Sequence, residues 1–555
     1  MTGVALADLA LQNGAVYTVD ARRPWAEAIA IANGRLIYVG TNSGLQSHIG
    51  PGTKVLDLDS KMVLPGFFDS HLHPVGAVSL VLSANLYGRG SLEGYQEAIV
   101  EFVQANPDMP VIRGSGWSNT VFPVAGPNKE TLDALVPNRP AGLRSEDGHS
   151  LWVNSKTLQI AGIDKETPDP EGGVIERDPE TGEPSGTLRE NAMDLVSAVV
   201  PDYTTAEKKK GLLAFQEMAG KCGITTALDA ISTGSIEAYK ELEAERALTV
   251  RYRGSLLVDP HKGPEQVPAL VQERTRHTGP HFQTRAAKIF VDGVVEGETA
   301  YLLEPYAHRP DYRGELLWDL ENLNQVCAAL DKEGFQLHVH AIGDAAIRVT
   351  LDAFEYAKQS NGERDARNLI THLQMVHPDD IPRFAELGVV GVPQPFWFSV
   401  NPYYWNLELP FLGKERADTE YPMQSFIEAG VVMASGSDFP VTIPFDPLIG
   451  IQTGVTRSAP GKTTDPDIVL KKGEWGVLWP EERASLEDMV ASFTINGAYA
   501  NFVEQETGSL EVGKAADLVV LDRNLFEIPV REISEASVLL TLFEGKEVFR
   551  HPELY

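Results

Sequence analysis

The sequence predicts an α/β protein that combines a (β/α)8 TIM-type barrel, a small β-sandwich built from both chain termini, and a long insertion after the first barrel strand. Three observations lead to this prediction. Strand-like apolar runs alternate with helical stretches through the middle of the chain, which is the pattern of a parallel α/β fold. The 555 residues exceed a single ordinary core. Both ends of the chain also carry strand-like runs, and neither end has room for a core of its own.

The β-sandwich is predicted from residues 1–62 and 506–555. In the first segment, Asn13-Gly14 and Asn33-Gly34 each stand between apolar alternations, which is a strong hairpin signal. The second segment contains strand-like runs and a turn at Glu544-Gly545. The economical interpretation is one domain assembled from both segments, with the larger domain inserted between them. The alternative is two separate additions to the barrel.

The barrel domain is predicted over residues 63–505, with eight strand-like runs once its insertion is set aside. These runs are residues 66–73, 224–229, 250–256, 286–292, 335–341, 368–374, 389–394 and 431–438. The insertion, at about 80–203, is too long for a simple loop between a strand and a helix. It follows the first strand and therefore lies on the C-terminal face, where barrel active sites are found. We expect it to form a lid or a wall of the substrate pocket.

The first barrel strand ends in Asp69-x-His71-x-His73. Alternate residues of a strand point to the same side, so the two imidazoles would project together from its C-terminal end. Two imidazoles on one face can bind a single metal ion. The pair alone is a weak signal, and the alternative is two ordinary polar residues at a strand end.

Further metal-competent or proton-transferring groups lie on other predicted barrel strands, most of them at the C-terminal end. The full set of predicted metal ligands is His71, His73, Lys288, His340, His372 and Asp438. Neutral imidazoles suit zinc, and two close cations lower the pKa of a shared water, so we predict two divalent ions, with Zn²⁺ as the first choice. Asp438 is the predicted catalytic residue: it would accept the proton of the attacking water and pass it to the departing amine.

Lys288 stands in an otherwise apolar run, and a buried ammonium there would shift toward the neutral amine. A neutral lysine can react with carbon dioxide to form a carbamate, an anion able to bridge two metal ions. The alternative is an ion pair between Lys288 and a buried carboxylate such as Asp292 or Glu296. His338 would lie one layer deeper than His340, so we interpret it as a packed or supporting histidine. Asp69 is the expected partner that orients the imidazole of His71.

The ordered pattern resembles the amidohydrolase superfamily, and more closely its amidohydrolase family 3 (YtcJ-like) branch. The resemblance is carried by residues 64–73, 147–154, 288–293, 340–344, 372, 394–395, 436–440 and 508–518. It spans nearly the whole chain, and its motifs are specific in combination. The resemblance implies a metal-dependent hydrolase that acts on C–N bonds of amides, with a β-sandwich formed from the termini.

The substrate clues lie outside the metal set. The loop after the seventh predicted strand is unusually aromatic and begins at Gln394, Phe396 and Trp397. Together with Trp117 it could wall an apolar pocket around a bulky N-substituent. His149 in the insertion is a further candidate for substrate contact. The alternative is an aromatic cluster that packs the lid or an oligomer interface, and the oligomeric state, homo-oligomer included, stays open.

Bulk properties exclude several classes of partner. The formal net charge of −31 argues against nucleic acid and against anionic membranes, which such a surface would repel. Two cysteines exclude a disulfide framework and fit a reducing compartment. The first residues lack a basic and apolar leader pattern, and no apolar run approaches a membrane span. We expect a cytoplasmic protein with a small-molecule, amide-type substrate.

The leading hypothesis is hydrolysis of an amide, formamide or related C–N bond by a metal-activated hydroxide. A second hypothesis keeps the fold and makes the protein a mononuclear deaminase or a cyclic-amide hydrolase. A third, a non-catalytic scaffold, is disfavoured because every predicted ligand is present.

Overall fold

The computed structural model describes residues 5–170, 172–276 and 278–554. The chain divides into two compact units. One consists of Met1–Leu72, Gln216–Asp438 and Phe445–Tyr555, and the other of His73–Phe215 and Phe439–Pro444. The first unit contains both the strands from the chain ends and the barrel, and the second contains the whole predicted insertion at about 80–203. The domain boundaries at 62/63 and 505/506 remain predictions.

The strands are described here in chain order. They are β1 (Leu9–Gln12), β2 (Ala15–Tyr17), β3 (Trp25–Ala26), β4 (Ala28–Ala32), β5 (Arg35–Gly40), β6 (Lys54–Asp57), β7 (Met62–Pro65), β8 (Phe67–Leu72), β9 (Ala84–Asn85), β10 (Ile112–Trp117), β11 (Ala141–Ser145), β12 (Ser150–Val153), β13 (Gly173–Arg177), β14 (Pro184–Glu190), β15 (Ile224–Asp229), β16 (Arg251–Leu257), β17 (Phe282–Phe290), β18 (Gln336–Ala341), β19 (Leu369–His372), β20 (Val390–Val392), β21 (Ser399–Val400), β22 (Gly476–Val477), β23 (Leu518–Leu521), β24 (Val538–Phe543) and β25 (Lys546–Arg550).

The α-helices follow the same order. They are α1 (Asn42–Leu45), α2 (Ala77–Leu82), α3 (Leu92–Ala105), α4 (Lys129–Leu135), α5 (Ser155–Ala161), α6 (Thr205–Lys221), α7 (Ile236–Ala244), α8 (Val267–Thr275), α9 (Leu320–Lys332), α10 (Asp344–Asn361), α11 (Ile381–Leu387), α12 (Leu409–Leu412), α13 (Lys414–Ala417), α14 (Met423–Glu428), α15 (Pro447–Thr456), α16 (Leu486–Ser492) and α17 (Ile495–Ala500). Among the described residues, no helix combines the length and the apolar character that crossing a membrane requires.

Seven parallel strands form the barrel sheet in the order β20-β19-β18-β17-β16-β15-β8. Their side chains are buried along almost their whole length, as expected of parallel strands that are covered on both faces. Because all seven strands run the same way, their carboxyl ends meet at one mouth of the barrel. The predicted TIM-type barrel is confirmed.

The eighth predicted strand, residues 431–438, completes the ring as an irregular segment. It pairs with β20 through an isolated bridge between Gly391 and Met433. On its other side, the backbone N–H of Ser70 donates to the carbonyl of Ser435 at 3.0 Å. The prediction of a regular strand here was wrong: the N–H of Ser435 donates to the carbonyl of Ser492 on α16, and Asp438 has a positive φ, so the segment departs from regular strand pairing.

Strands from both chain ends meet in one sheet of order β25-β24-β23-β7-β2-β3. Its central pair joins β7 to β23 in antiparallel register, with Val63 opposite Val520. A second sheet, β5-β4-β1-β6, shares one buried apolar core with it, in which Leu11 and Ile29 cluster with Val63 and Val520. The β-sandwich built from both termini is therefore confirmed.

The Asn-Gly pairs have different outcomes. Asn33-Gly34 has positive φ at both residues and joins β4 to β5, as the hairpin signal predicts. Asn13-Gly14 is not a hairpin: it links β1 in one sheet to β2 in the other. The space at Gly14 explains the residue type, since a Cβ there would meet the side chain of Leu58 at 2.7 Å.

The second unit has its own sheet, of order β13-β14-β12-β11-β10-β9. Trp117 and Trp152 lie in its apolar core, both without exposed surface. The indole N–H of Trp117 donates to the carbonyl of Leu143 at 2.8 Å, which satisfies the one polar atom of that side chain.

A buried ion pair ties the barrel to the C-terminal strands. Arg251, at the start of β16, donates to the carboxylate of Asp517 at 2.6 Å, and both side chains are almost fully buried.

Arg251→Met is expected to lower the free energy of unfolding by about 3–5 kcal/mol, because Asp517 would keep a buried charge without its cation. Chemical denaturation measures this loss. The matched change Arg276→Met, at an exposed arginine paired with Glu273, should cost less than about 1 kcal/mol. If both variants lose the same free energy of unfolding, the buried pair does not contribute more to stability than the exposed pair.

Candidate metal centre

Two imidazoles and one carboxylate converge at the end of β8. One ligand atom from each of His71, His73 and Asp438 lies within 4.8 Å of the other two. The backbone fixes this approach, since the N–H of Asp438 donates to the carbonyl of His71 at 2.7 Å. Gly436 permits it, because a Cβ there would meet the backbone nitrogen of His71 at 2.6 Å. Imidazole nitrogen and carboxylate oxygen are ordinary zinc ligands, so this donor set fits a divalent metal ion.

Two more predicted ligands lie beside this group. The rings of His340, on β18, and His372, at the end of β19, have centroids 4.5 Å apart. The ring centroid of His372 is 5.1 Å from that of His71. Burial lowers the pKa of His372 well below its ordinary value, and the neighbouring His340 adds to the effect. A neutral imidazole is the form that binds a metal ion.

Lys288 lies on β17, directly opposite His338 of β18. Its side chain is 1% exposed, and burial lowers its pKa to about 7, while the carboxylate of Asp438 acts in the opposite direction. Within residues 5–170, 172–276 and 278–554 no carboxylate forms an ion pair with Lys288. Asp292, one alternative partner considered from the sequence, instead accepts the backbone N–H groups of Ile342 and Gly343.

The Nδ1 side of the His71 ring is oriented by another histidine, His338. Its Nδ1 lies 2.8 Å from Nε2 of His338, and Nδ1 of His338 lies 2.9 Å from Oγ of Ser255. We assign the proton of His71 to Nδ1, which directs its Nε2 toward Asp438, with Oδ1 3.4 Å away. The expectation that Asp69 orients this imidazole was wrong. Oδ1 of Asp69 accepts the backbone N–H groups of His71 and Ser437 instead, because it lies beside the backbone where the two segments meet.

His372 and His340 are oriented by acceptors of their own. Nδ1 of His372 lies 2.9 Å from the amide oxygen of Gln394, whose amide nitrogen donates to the carbonyl of Val392. Nε2 of His340 lies 3.0 Å from the carbonyl of Gly293. Each acceptor fixes which ring nitrogen carries the proton and which one faces the centre. Gln394, predicted as a substrate contact, is therefore best interpreted as a residue that orients His372.

His338→Ala is expected to weaken zinc binding by about 10- to 100-fold, since groups that orient a ligand imidazole typically contribute that much. His338→Gln, which keeps a polar group near His71, should recover part of the loss. Competition with a chelator measures the affinity independently of catalysis. The exposed His261 offers a matched control, His261→Ala, that should leave zinc affinity unchanged. Wild-type affinity in His338→Ala would reject the positioning role.

The aromatic candidates divide between the two units. Trp397 stacks on His372 with ring centroids 5.8 Å apart and planes at 11°, and Phe396 makes an edge contact with Phe493. Trp117, in contrast, is used by the core of the second unit, which favours the packing alternative for it. Nδ1 of His149 lies 3.0 Å from the carboxylate of Glu190. Substrate contact by these residues remains a prediction.

A parallel barrel with imidazole and carboxylate groups at the carboxyl ends of its strands is the arrangement of the metal-dependent barrel hydrolases. The family model described as "Amidohydrolase family" matches residues 54–549 of this chain. The chain belongs to the amidohydrolase family, and the resemblance seen in the sequence is confirmed.

Known proteins resemble the chain along nearly its whole length. It is 32% identical to Protein LONG AFTER FAR-RED 3 of Arabidopsis thaliana, with 98% of this chain and 92% of that protein covered. It is 28% identical to N-substituted formamide deformylase of Arthrobacter pascens, with 97% of both covered. A crystal structure of an uncharacterised metal-dependent hydrolase from Pyrococcus furiosus matches with a TM-score of 0.70 at 26% identity, over 93% of this chain and 99% of that one.

Proposed function

We propose that the protein is a metal-dependent hydrolase that cleaves the C–N bond of an amide or formamide. The observation that carries this proposal is the convergence of His71, His73 and Asp438 within 4.8 Å at a barrel mouth. Membership of the amidohydrolase family supports a hydrolase. The name of the Arthrobacter relative, an N-substituted formamide deformylase, supports the choice of amide and formamide substrates.

The proposed ligands are His71, His73, His340, His372, Asp438 and Lys288 carrying a carbamate. When bound, two divalent ions, with zinc favoured by the donors, would supply Lewis-acid activation of water and of the scissile carbonyl. Six donors are more than one tetrahedral ion uses, which supports two ions. The low pKa of Lys288 supports the carbamate, since it leaves a substantial share of neutral amine near neutral pH.

The proposed role of Asp438 follows from its position. Its carboxylate faces Nε2 of His71, and its backbone is held by the carbonyl of the same residue. It would take the proton of the attacking water on a carboxylate oxygen and then donate that proton to the leaving amine. Trp397, stacked on His372, would shield one side of the centre from water.

The geometry of the metal centre does not bear on a cytoplasmic location or on a homo-oligomeric state, and both remain predictions. Both described cysteines, Cys222 and Cys327, are free thiols, which supports a reducing compartment.

Metal removal and reloading test the proposed function. Chelated protein is expected to be inactive, and zinc together with bicarbonate should restore hydrolysis of N-formyl or N-acyl amides. Metal analysis in the same samples should give two ions per chain. One ion per chain, no need for bicarbonate and activity on an amino-substituted heterocycle would instead support the deaminase alternative. Protein that stays inactive on every amide after reloading would reject the proposal.

A further inference from the structure

Three glutamates and one glutamine lie in segments that follow the carboxyl ends of the barrel strands, the ends that carry the metal residues. Glu296 follows β17, and Glu408 and Glu420 lie in the segment after β20. Gln374 follows β19 and is two residues beyond His372. We call these four residues the acidic subsite.

Gln374 joins the two glutamates of the later segment. Its amide nitrogen donates to Oε1 of Glu420 at 2.8 Å and lies 3.4 Å from Oε1 of Glu408. Glu420 has no exposed surface, whereas Glu408 keeps part of its surface accessible. Over the residues that the structure describes, no protein donor reaches Oε2 of Glu420, although its carboxyl group lies within hydrogen-bonding distance of the carboxyl group of Glu408. A buried carboxylate oxygen without a donor is costly, so this atom marks a place where a ligand donor would be stabilising.

The nearest buried cation does not supply that donor. Arg457 is fully buried, and its guanidinium donates to the backbone carbonyls of Leu478, Tyr421 and Glu420 at 2.8–2.9 Å. Burial, together with the charge of Glu296, raises the pKa of Glu408 to about 8. Burial also raises the pKa of Glu420, followed by the charge of Glu408. Both shifts favour protonated carboxyl groups while no cation is bound, so a cation bound here would take the place of a proton.

Two contacts connect the acidic subsite to the metal centre. Gln374 continues the strand that ends in His372, and its carbonyl accepts the backbone N–H of Tyr421 at 3.0 Å. The ring of Tyr421 lies 5.1 Å from that of Phe398, which directly follows Trp397. Trp397 itself stacks on His372, so two consecutive residues contact a ring of the metal centre and a ring next to the acidic subsite.

We propose that the acidic subsite binds a protonated amine on the substrate, so that the preferred substrates are amides that carry a second, basic nitrogen. This inference rests on the proposed function and names its substrate class. An ammonium group would supply a donor to Oε2 of Glu420 and a positive charge in place of the proton that the two glutamates hold. The ring of Trp397, which lies beside His372, would add an apolar surface for the carbon chain between the amide and the amine.

Matched substrates test this inference in the metal-loaded protein. We expect N-formyl amines that end in an ammonium group to show kcat/KM about 10- to 100-fold higher than those of the same length that end in a methyl group. Glu420→Gln keeps the shape and removes the acidic group, so the ratio of kcat/KM between the ammonium-ended and the methyl-ended amide should fall to about one. Glu408→Gln is the second variant should Glu420→Gln fold poorly. Glu415→Gln, at an exposed glutamate of α13, is the matched control and should keep the preference.

Binding without catalysis separates this inference from the proposed function. Calorimetry on the metal-loaded protein should show benzylammonium binding at least about tenfold more tightly than benzyl alcohol, and Glu420→Gln should remove the difference. If the ammonium-ended and the methyl-ended amides are hydrolysed at equal rates and benzylammonium does not bind, the acidic subsite is overturned and the hydrolase proposal stays intact. In that case Glu408 and Glu420 simply share a proton. Selective benzylammonium binding without any amide hydrolysis would support the subsite and reject the hydrolase.

Discussion

Asp438→Asn is expected to lower kcat for amide hydrolysis by about 10²- to 10⁴-fold, the usual contribution of a positioned general base. Asparagine keeps the size of the side chain and an oxygen donor, but it cannot accept and return a proton. The backbone contact with the carbonyl of His71 does not involve the side chain, so the local fold should persist. Bound metal should therefore stay near the wild-type content. Steady-state kinetics and metal analysis of the same preparation measure the two quantities.

The exposed Asp465 provides the control for this change, and Asp465→Asn should leave both quantities unchanged. Full activity in Asp438→Asn would reject its role in proton transfer. Loss of metal in proportion to activity would leave Asp438 as a ligand alone and contradict the separate proton-transfer role.

Lys288→Ala is expected to lose bound metal and to reduce kcat by at least about 10³-fold, since removing several kcal/mol of charge stabilisation has that effect. In the wild-type protein the buried amine has its pKa lowered to about 7, which makes the neutral form available to carbon dioxide. In the proposed modification, the amine nitrogen would bond to the carbon of carbon dioxide and release one proton, which would leave a carbamate anion. Small carboxylic acids added to Lys288→Ala should restore part of the activity by occupying the vacated space.

Intact mass under native conditions provides a direct readout, because wild-type protein should carry the added mass of one carbon dioxide molecule and Lys288→Ala should not. Lys514, which is also buried, gives the control variant Lys514→Ala, and a folded sample of it should keep both metal and activity. Wild-type metal content in Lys288→Ala, or a wild-type mass without the increment in active protein, would exclude the carbamate.

The sequence was most informative where a simple rule of strand geometry fixes the side to which a side chain points or the end of the barrel at which it lies. The two-residue period of a strand is enough to place His71 and His73 on one face. Parallel strands bring their carboxyl ends together, which is why His340 and His372 could be assigned to the same mouth before any coordinates were known. The barrel and the sandwich follow from the same kind of pattern.

Long-range packing decided the features that the sequence did not reveal. Whether His338 or Asp69 orients His71 depends on side-chain rotamers and on how closely β18, which carries His338, approaches β8 inside the barrel. Trp117 could line a pocket or fill a core, because both environments are apolar. Asn13-Gly14 has the local signal of a hairpin, but the two strands it joins are recruited to different sheets.

Anomalous diffraction from crystals of zinc-loaded protein tests the proposed two-ion metal centre most directly. Data collected on either side of the zinc absorption edge are expected to show two peaks at the barrel mouth, surrounded by His71, His73, Lys288, His340, His372 and Asp438. Zinc peaks that lie away from these residues, or no peak at this mouth in protein that hydrolyses amides, would contradict it.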